Sequence, residues 1–380
     1  MLLKCMFGRI RNLIVVGLAV GFMAVYFRNA DLVSVWSEIR GAKFGFVTAA
    51  LGAIVLSHAM RVERWQRLLA PLGRVGFVEA GRATVIGFAT TAIFPGRLGE
   101  ILRPYLLARR ERFSASATLA TVILERLLDL VTVLLMLGFF LLFFSGDLRQ
   151  GDQGVLTALK VGGLVVAVGT GLILAMITVG VHTPDRLAWF ALKIQWLLPI
   201  RTRVSVGHFI ARFSSGFGIV GQPDRFIRAC ALSLPLWLCF CVSTWCVCQA
   251  FGISLPPGGA LLLLVLTVLG VSVPTPAGIG GFHAAFQIGV TGFYGAPVDA
   301  AVGAGLVLHA LSFGPLTLLG LVWMAHDGLT FRNAREMASL GDRDNSEVTE
   351  PVDVLMSEEH TLTPVAFEEE ESASGQGGRK

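Results

Sequence analysis

The sequence contains few charged residues. Asp, Glu, Lys and Arg make up 15% of its 380 residues, whereas roughly 25% is usual in a soluble domain. Hydrophobic residues make up 54%, and the mean hydropathy is +0.70. Because a soluble fold would have nothing against which to bury so much apolar surface, this composition argues strongly against one.

The apolar residues lie in long runs that lack the polar face of a soluble helix. Each run is close to the roughly 20 residues that cross the hydrocarbon of a bilayer as a helix. The clearest runs are Leu13–Phe27, Phe44–Met60, Leu127–Phe144, Gly162–Gly180, Cys230–Phe251 and Leu306–Trp323. They predict an all-α, polytopic membrane protein with about six full spans.

The sequence also lacks the residue spacings of a metal site or of a nucleophile beside its base. Four of the six cysteines, at positions 239, 241, 246 and 248, lie in one apolar run with no nearby His or carboxylate. We interpret them as small hydrophobic side chains rather than zinc ligands. We therefore expect no metal, no cofactor, no nucleic-acid partner and no enzymatic activity.

Basic residues predict the orientation of the spans. The N-terminus, the segment Arg61–Arg82 and the run Arg109–Arg112 are basic and are predicted to lie in the cytoplasm. Arg332 and Arg335 follow the last span, so the C-terminus is predicted to lie there too. These residues predict a multi-pass protein of the cell inner (cytoplasmic) membrane with both termini inside.

The stretch between two of these basic segments is too short for two spans. The apolar part before Pro95 has about a dozen residues, or roughly 18 Å of helix, and the part after Gly96 is no longer. We therefore predict a re-entrant hairpin broken at Pro95 and Gly96. Irregular backbone at this depth needs protein or a water-filled cavity around it.

A second break follows the Cys230–Phe251 run. Its proline and glycine residues are Pro274, Pro276, Gly278, Gly280 and Gly281. No basic residue occurs from Ile253 to Ala325, so charge leaves open a re-entrant hairpin or two spans. One span, a broken hairpin and a long span thus occur twice, with inverted topology. Interrupted segments in inverted halves are the best sequence pointer to a transport site near the midplane.

Charged residues cluster at the first break. Arg97, Glu100 and Arg103 are spaced by three, so a helix would place them within an arc of about 120°. Arginine suits bidentate phosphate contacts, and the break leaves a helix N-terminus that favours anions. These features predict a site for an anionic headgroup. The alternative is an ion cluster that only holds the hairpin, although each charge costs about 2.5–3.5 kcal/mol at the bilayer centre.

The next long span carries a second cluster, formed by Glu125, Arg126 and Asp129. Glu125 and Asp129 are one helical turn apart and face the same way. We expect these carboxylates to pair with Arg97 or Arg103, or to carry protons. If the bilayer begins only near residue 127, they are interfacial instead.

Isolated histidines are the remaining candidates. His283 follows the second break as Glu100 follows the first, and His309 lies in the middle of a span. Both are expected either to line a polar cavity or to make ordinary interhelical hydrogen bonds. His58 is expected to reach toward the interface beside Arg61.

These motifs resemble two signatures of the lysylphosphatidylglycerol synthase transmembrane, or flippase-like, family. The first is Phe94-Pro95-Gly96-Arg97-Leu98-Gly99-Glu100, then Arg103, Tyr105, the basic Arg109–Arg112 run and Glu125-Arg126…Asp129; the second is Pro274-Thr275-Pro276-Ala277-Gly278-Ile279-Gly280-Gly281-Phe282. The resemblance implies a membrane domain that flips or otherwise moves lipids, in some members fused to an aminoacyltransferase. Two departures from the family pattern matter, and the second bears on substrate and any proton coupling. Thr90-Thr91 stand where members often carry Asn, and His283 stands where they often carry Glu.

The chain is therefore predicted to have two parts. Residues 1–330 would form the transmembrane flippase-like domain, and residues 331–380 a disordered cytoplasmic tail. From Gly341 onward this tail holds 11 acidic and three basic residues, a composition typical of disorder.

The leading hypothesis is a lipid translocase. A lipid with an anionic or zwitterionic headgroup would enter a polar cavity between the hairpins, with Arg97 and Arg103 on its phosphate. Glu100, Glu125 and Asp129 would balance charge or relay protons. The first alternative is a membrane scaffold that hands a lipid, such as a hopanoid or glycolipid, to partner enzymes. The second is a membrane-embedded lipid-modifying enzyme. The candidate protein partners are a second copy of the chain and an enzyme of lipid synthesis.

Overall fold

The computed structural model describes residues 17, 19–94, 97–144, 153–182, 215–273 and 275–328. All regular structure in these ranges is helical, which confirms the all-α prediction. Three predicted break residues (Pro95, Gly96 and Pro274) and the predicted tail at 331–380 lie outside the described residues.

The α-helices of the described ranges are numbered in chain order. They are α1 (residues 19–27), α2 (Leu32–Gly41), α3 (Phe44–Leu69), α4 (Phe77–Ile93), α5 (Gly99–Glu111), α6 (Ala115–Phe143), α7 (Gln153–His182), α8 (Pro223–Ala231), α9 (Ser233–Ala250), α10 (Pro257–Ser272), α11 (Gly281–Ile288) and α12 (Val298–His326). Short helical turns of other pitch occur at Gly218–Gly221, Pro276–Gly278 and Gly289–Phe293.

Several helices have the length and composition of membrane spans. In the described part of the chain, four stretches qualify: Phe44–Leu69, Ala115–Phe143, Pro223–Ala250 and Val298–His326. Each contains all or most of one predicted run. The apolar part of α7, Lys160–Ala175, is shorter, and the first predicted run begins outside the described residues. Large apolar side chains such as Leu135, Leu142 and Leu318 are exposed on the outer faces, as contact with lipid tails would favour.

The first predicted hairpin consists of α4 and α5, which pack against each other. Their 17 and 13 residues are fewer than the roughly 20 needed to span a bilayer. Gly87 and Gly99 allow the two backbones to touch, because a Cβ on Gly99 would collide with the Gly87 carbonyl oxygen. The sequence prediction of a short, broken hairpin is confirmed.

The second hairpin uses the same contact. Helices α10 and α11 have 16 and eight residues and pack against each other. A Cβ on Gly270 would collide with the carbonyl oxygen of Gly281, and one on Gly281 with that of Gly270. The 257–288 stretch is therefore a pair of short helices rather than two long spans.

The packing of the helices repeats. Helix α3, the first hairpin and α6 form one unit, and α9, the second hairpin and α12 form the other. The first helices of the two units, α3 and α9, pack against each other. The hairpin helix α4 packs against α12 of the second unit, as α10 packs against α6 of the first. The predicted double occurrence of span, hairpin and span is present, and each hairpin is held by the other unit.

Helix α3 continues beyond the apolar run from which it was predicted. It extends to Leu69, so Arg61 and Arg64 lie within the helix and are buried, with 4% and 0% exposure. The sequence analysis assigned Arg61–Arg82 to the cytoplasm without predicting that Arg61 and Arg64 are buried in a helix; the side of the membrane stays a prediction. Ser57, Arg61, Arg64 and Leu68 follow helical spacing and form one buried face.

Candidate functional site

A buried carboxylate on α6 organises the charged centre of the molecule. Asp129 lies 3.0 Å from Nη1 of Arg61 through Oδ2 and 2.7 Å from Nη2 of Arg64 through Oδ1. Asp129 has a third partner, because the indole Nε1–H of Trp237 on α9 donates a 3.0 Å hydrogen bond to Oδ1. Arg64 also donates to Ser233 Oγ over 2.8 Å. Asp129 therefore joins α3, α6 and α9.

The second buried carboxylate, one turn earlier on α6, joins the first hairpin to this centre. Glu125 Oε2 lies 3.2 Å from Nη1 of Arg103 on α5, and Oε1 lies 3.0 Å from Nη2 of Arg126. The Arg103 guanidinium lies 3.7 Å from the centre of the Trp65 ring, a favourable cation–π position. Trp65 is itself fixed by a 3.1 Å hydrogen bond to Thr121 Oγ1. The predicted pairing of a carboxylate with Arg103 is confirmed.

Arg97 takes a different position from Arg103. It precedes α5 and has a left-handed backbone with φ 55°. Its Nη2 donates to the carbonyl oxygen of Val271 on α10 over 2.7 Å, and its Nη1 lies 3.7 Å from Glu100 Oε1. Arg97 thus links the tips of the two hairpins. The arc expected for Arg97, Glu100 and Arg103 does not form, because Arg97 lies outside the helix and Arg103 pairs with α6.

A cavity of about 470 Å³ lies between the hairpins. Its charged lining residues are Arg61, Arg97, Glu100, Arg126 and Asp129, and its larger apolar ones include Phe88, Leu130, Phe240, Leu264, Phe282 and Phe313. A lining that combines charged side chains with aromatic and aliphatic ones suits a molecule with a polar end and an apolar body.

The predicted site residues separate into three sets. Arg97, Glu100, Arg126 and Asp129 line the cavity, whereas Arg103 and Glu125 are buried in the ion-pair network directly behind it. The structure places the remaining candidate, His283, elsewhere, beside the second break and not in the cavity lining.

His283 is part of the contacts that hold the second break. Its Nδ1 accepts a 3.3 Å hydrogen bond from the Gly280 N–H, and its ring centre lies 4.5 Å from that of His309. His309 Nε2 lies 3.0 Å from the carbonyl oxygen of Ala277 and donates to it. These bonds stabilise a turn whose backbone is left-handed at Ala277, with φ 52°. His283 therefore bonds at the N-terminus of its own helix, and the interhelical hydrogen bonding that was one of the two expectations is found for His309, which reaches from α12 to the second break.

The described break residues build this turn. Pro276 opens the turn Pro276–Gly278, and the φ angles of Gly278 and Gly280 are 68° and 89°, a region that glycine adopts easily. Gly281 then begins α11 against Gly270. Gly278, Gly280 and Gly281 thus each have an identifiable steric or conformational role.

His58 lines the cavity, and the sequence analysis misplaced it. Its ring lies edge-on to Phe88 and Phe240, with centroids 5.4 and 5.5 Å away. Both ring nitrogens are buried and have no hydrogen-bond partner among the described residues. The expectation that His58 reaches the interface is therefore wrong. The sequence did hold a sign of this position. His58 and Arg61 are three residues apart and therefore share one helix face, and Arg61 also lines the cavity.

The comparison with protein families agrees with this arrangement. The model of the lysylphosphatidylglycerol synthase TM region matches residues 12–320. The chain belongs to this family. The match confirms the resemblance predicted from the sequence motifs, and it covers both hairpins and every residue of the charged network.

One relative is named as a glycosyltransferase. The glycosyltransferase AglD of Haloferax volcanii is 23% identical over 378 residues, which cover 88% of this chain and 57% of that protein. The chain therefore spans less than two thirds of the length of this relative.

Proposed function

We propose that this protein is a lipid translocase of the cell inner membrane, with both termini in the cytoplasm. The headgroup of the lipid enters the cavity between the hairpins and passes from one leaflet to the other. The observation that carries the proposal is the cavity itself, because it combines charged and apolar walls at the meeting point of two broken hairpins.

The electrostatics of the wall favour an anionic headgroup. Arg61, Arg97 and Arg126 present guanidinium groups to the cavity, and guanidinium binds phosphate oxygens in a bidentate way. A phosphate that crosses pure hydrocarbon loses its hydration without compensation. These arginines supply replacement hydrogen bonds, so the barrier to crossing is lower inside the protein than in the bilayer.

The apolar wall and the hairpin tips give the rest of the mechanism. Phe240, Phe282 and Phe313 offer a surface against which acyl or prenyl chains can pack. The Arg97 hydrogen bond to Val271 connects the tips of the hairpins. Movement of one unit against the other would break and reform this bond as the cavity opens to each side in turn.

A leaflet-exchange assay tests the proposal. The full chain is reconstituted into liposomes that contain a phospholipid with a fluorescent acyl chain, and dithionite reports the label that reaches the outer leaflet. We expect wild type to exchange the label, and Arg97→Gln and Arg126→Gln to slow exchange by about tenfold, which corresponds to one good charge-assisted contact. Arg40→Gln, which changes an exposed arginine of α2, is the matched control and should retain the wild-type rate.

Two results would count against translocation. One is a wild-type rate equal to that of protein-free liposomes. The other is equal rates for wild type, Arg97→Gln and Arg126→Gln, since the cavity arginines would then take no part in the transport.

A second candidate function is handover of a lipid to a partner enzyme, and one observation favours it. The relative described above is named a glycosyltransferase, so a lipid-linked sugar is a reasonable cargo. A stable lipid-synthesis partner that co-purifies with the chain, together with no exchange by the isolated protein, would favour handover. A second copy of the chain is the other partner to look for.

We propose that the protein moves lipids without modifying them chemically. Mass analysis of lipids that have been incubated with the purified protein tests this proposal. A new lipid species that wild type makes, and that Arg126→Gln fails to make, would point to a lipid-modifying enzyme instead.

A further inference from the structure

The charged residues in and behind the cavity do not balance. Four arginines and two carboxylates are joined by ion pairs of 2.7–3.6 Å, and a separate pair, Arg97 with Glu100 at 3.7 Å, adds no net charge, so the set carries two net positive charges. The arginines of the whole set are Arg61, Arg64, Arg97, Arg103 and Arg126, and its carboxylates are Glu100, Glu125 and Asp129. No further charged side chain of the described ranges is ion-paired to them.

Burial makes this imbalance costly. Arg61, Arg64 and Arg103 are no more than 4% exposed, and an uncompensated charge in such surroundings is strongly unfavourable. Five N–H groups of the network also have no hydrogen-bond partner among the described residues, against one carboxylate oxygen, Oε2 of Glu125; the five are Nε of Arg61, Arg64, Arg103 and Arg126 and Nη2 of Arg103. Both observations indicate that the centre favours an added anion.

The cavity gives an anion access to this centre. Arg61, Arg97 and Arg126 line it, and the Arg97 and Arg126 side chains are 38% and 39% exposed. Asp129, which also lines the cavity, is already engaged by Arg61, Arg64 and Trp237. Glu100, the other carboxylate of the lining, is paired with Arg97 at 3.7 Å. An incoming phosphate therefore meets three guanidinium groups and two carboxylates that already have cationic partners.

We infer that the cavity selects a dianionic phosphate, meaning a phosphomonoester or diphosphate group. Such a group carries about two negative charges near neutral pH and would neutralise the excess. A phosphodiester headgroup with a single charge would leave one positive charge unbalanced. A zwitterionic headgroup would add a cation to a cationic site. The inference deepens the proposed function, on which it rests for the position of the headgroup.

A binding experiment with three probes tests the charge selection. The full chain is placed in phosphatidylcholine nanodiscs that contain phosphatidic acid, a phosphomonoester, or phosphatidylglycerol, a phosphodiester. The fluorescence of Trp65 and Trp237, which contact Arg103 and Asp129, reports occupancy. We expect phosphatidic acid to bind at least about tenfold more tightly than phosphatidylglycerol, since one further charge interaction is gained. Equal affinity, or tighter binding of phosphatidylglycerol, overturns the inference.

The third probe, inorganic pyrophosphate, distinguishes a lipid from a free phosphate. Pyrophosphate that displaces phosphatidic acid shows that both use the same dianion site. Binding of pyrophosphate without binding of phosphatidic acid supports dianion selection and makes a free phosphate compound the ligand. Binding of neither probe overturns the inference.

Variants that change the net charge by one unit test the cause. Arg126→Gln lowers the net charge of the set to one, so the preference for phosphatidic acid over phosphatidylglycerol should fall to near unity. Glu100→Gln raises the net charge and should keep or increase the preference. Arg40→Gln should match wild type. A preference that is the same in wild type, Arg126→Gln and Glu100→Gln overturns the inference, provided that each variant unfolds at the wild-type detergent concentration.

The outcomes separate this inference from the proposed function. Selective binding of phosphatidic acid without leaflet exchange leaves dianion selection intact and removes translocation. Leaflet exchange with no preference for the phosphomonoester removes dianion selection and leaves translocation intact.

Discussion

Each buried carboxylate of α6 has several partners, and this number decides how the network responds to substitution. Asp129 contacts Arg61, Arg64 and Trp237, so its removal leaves two guanidinium groups without their nearest counter-charge. Breaking one side of a buried ion pair typically costs about 3–5 kcal/mol.

Asp129→Asn should therefore lower the free energy of unfolding by about 3–5 kcal/mol. The measurement is an unfolding titration with sodium dodecyl sulfate in mixed micelles. Glu38→Gln, which removes a carboxylate from the exposed part of α2, is the control and should change stability by less than about 0.5 kcal/mol. Equal effects of the two substitutions would show that Asp129 is not a buried, paired charge.

His58 should behave in the opposite way. Its two ring nitrogens lack partners among the described residues, and its neighbours are Phe88 and Phe240. Because phenylalanine keeps the ring and removes the unpaired polar atoms, His58→Phe should raise the free energy of unfolding by about 1 kcal/mol. His309→Phe loses the bond to Ala277 and should lower it. A clear loss of stability in His58→Phe would contradict this reading of the His58 environment.

The members of the buried ion-pair network differ in how far the sequence alone could identify them. Glu125 and Asp129 are conspicuous because they interrupt an apolar run, and Arg103 lies within a motif. Arg61 and Arg64 follow the apolar run of α3 directly, so a charge rule assigns them to the cytoplasm. Their burial depends on carboxylates more than 60 positions away in the chain, and a single sequence does not give that pairing.

At the scale of the elements, glycine sets how closely the two helices of each hairpin approach. Gly87 touches Gly99 in the first hairpin, as Gly270 touches Gly281 in the second. The atoms in the way of a new side chain are backbone atoms, which cannot rotate away. The substitution must therefore separate the helices.

Gly99→Ala and Gly281→Ala should each lower the free energy of unfolding by about 1–3 kcal/mol, the usual cost of overpacking. Gly138→Ala is the matched control, because a Cβ at that position on α6 meets nothing within 4 Å. It should be neutral or stabilise the protein by up to about 1 kcal/mol. The same detergent titration measures all three. Similar behaviour of Gly99→Ala and Gly138→Ala would contradict the close contact in the hairpin.

The hairpins were predictable because local chemistry determines them. Proline and glycine interrupt the helix, and the apolar halves are too short to span. The direction of Arg97 was not predictable from the helical period, because Arg97 precedes α5 with a left-handed backbone and donates to Val271. The helical period describes residues inside α5 and fails at Arg97, two residues before the helix starts.

At the scale of the whole molecule, the two units are interlocked. Helix α12 packs along α4, and α10 packs on α6, so neither hairpin is held by its own unit alone. The sequence indicated that the pattern occurs twice, since each half has a break followed by a long span. The sequence did not indicate that each hairpin packs on the long helix of the other unit. That packing depends on helix surfaces, and the two halves of the sequence have no residue-level repeat that would reveal them. The cavity lies between the two units because residues of both hairpins line it.

Helix α12 gives a measure of the molecule across the membrane. It has 29 residues, or about 44 Å of helix, which exceeds the roughly 30 Å of bilayer hydrocarbon. Near its start, Asp299 Oδ1 accepts a 3.0 Å hydrogen bond from the N–H of Asp31, beside α2. Just beyond its end, Asp327 pairs with Arg82 and Arg110 of the first hairpin. Because α12 is long and apolar enough to cross a bilayer, we expect helix α2 and the basic end of α5 to lie on opposite sides of the membrane.

Single cysteines introduced for labelling test both this geometry and the predicted orientation. The impermeant maleimide should label Glu38→Cys in intact spheroplasts, and should label Arg109→Cys and His326→Cys only after permeabilisation, because basic residues favour the cytoplasm. The three side chains are exposed, which makes them suitable for labelling. Cysteines at 109 and 326 that react from opposite sides would contradict the fold, since Arg110 and Asp327 are 3.4 Å apart. If both react from outside while residue 38 is protected, the fold stands and the orientation is reversed.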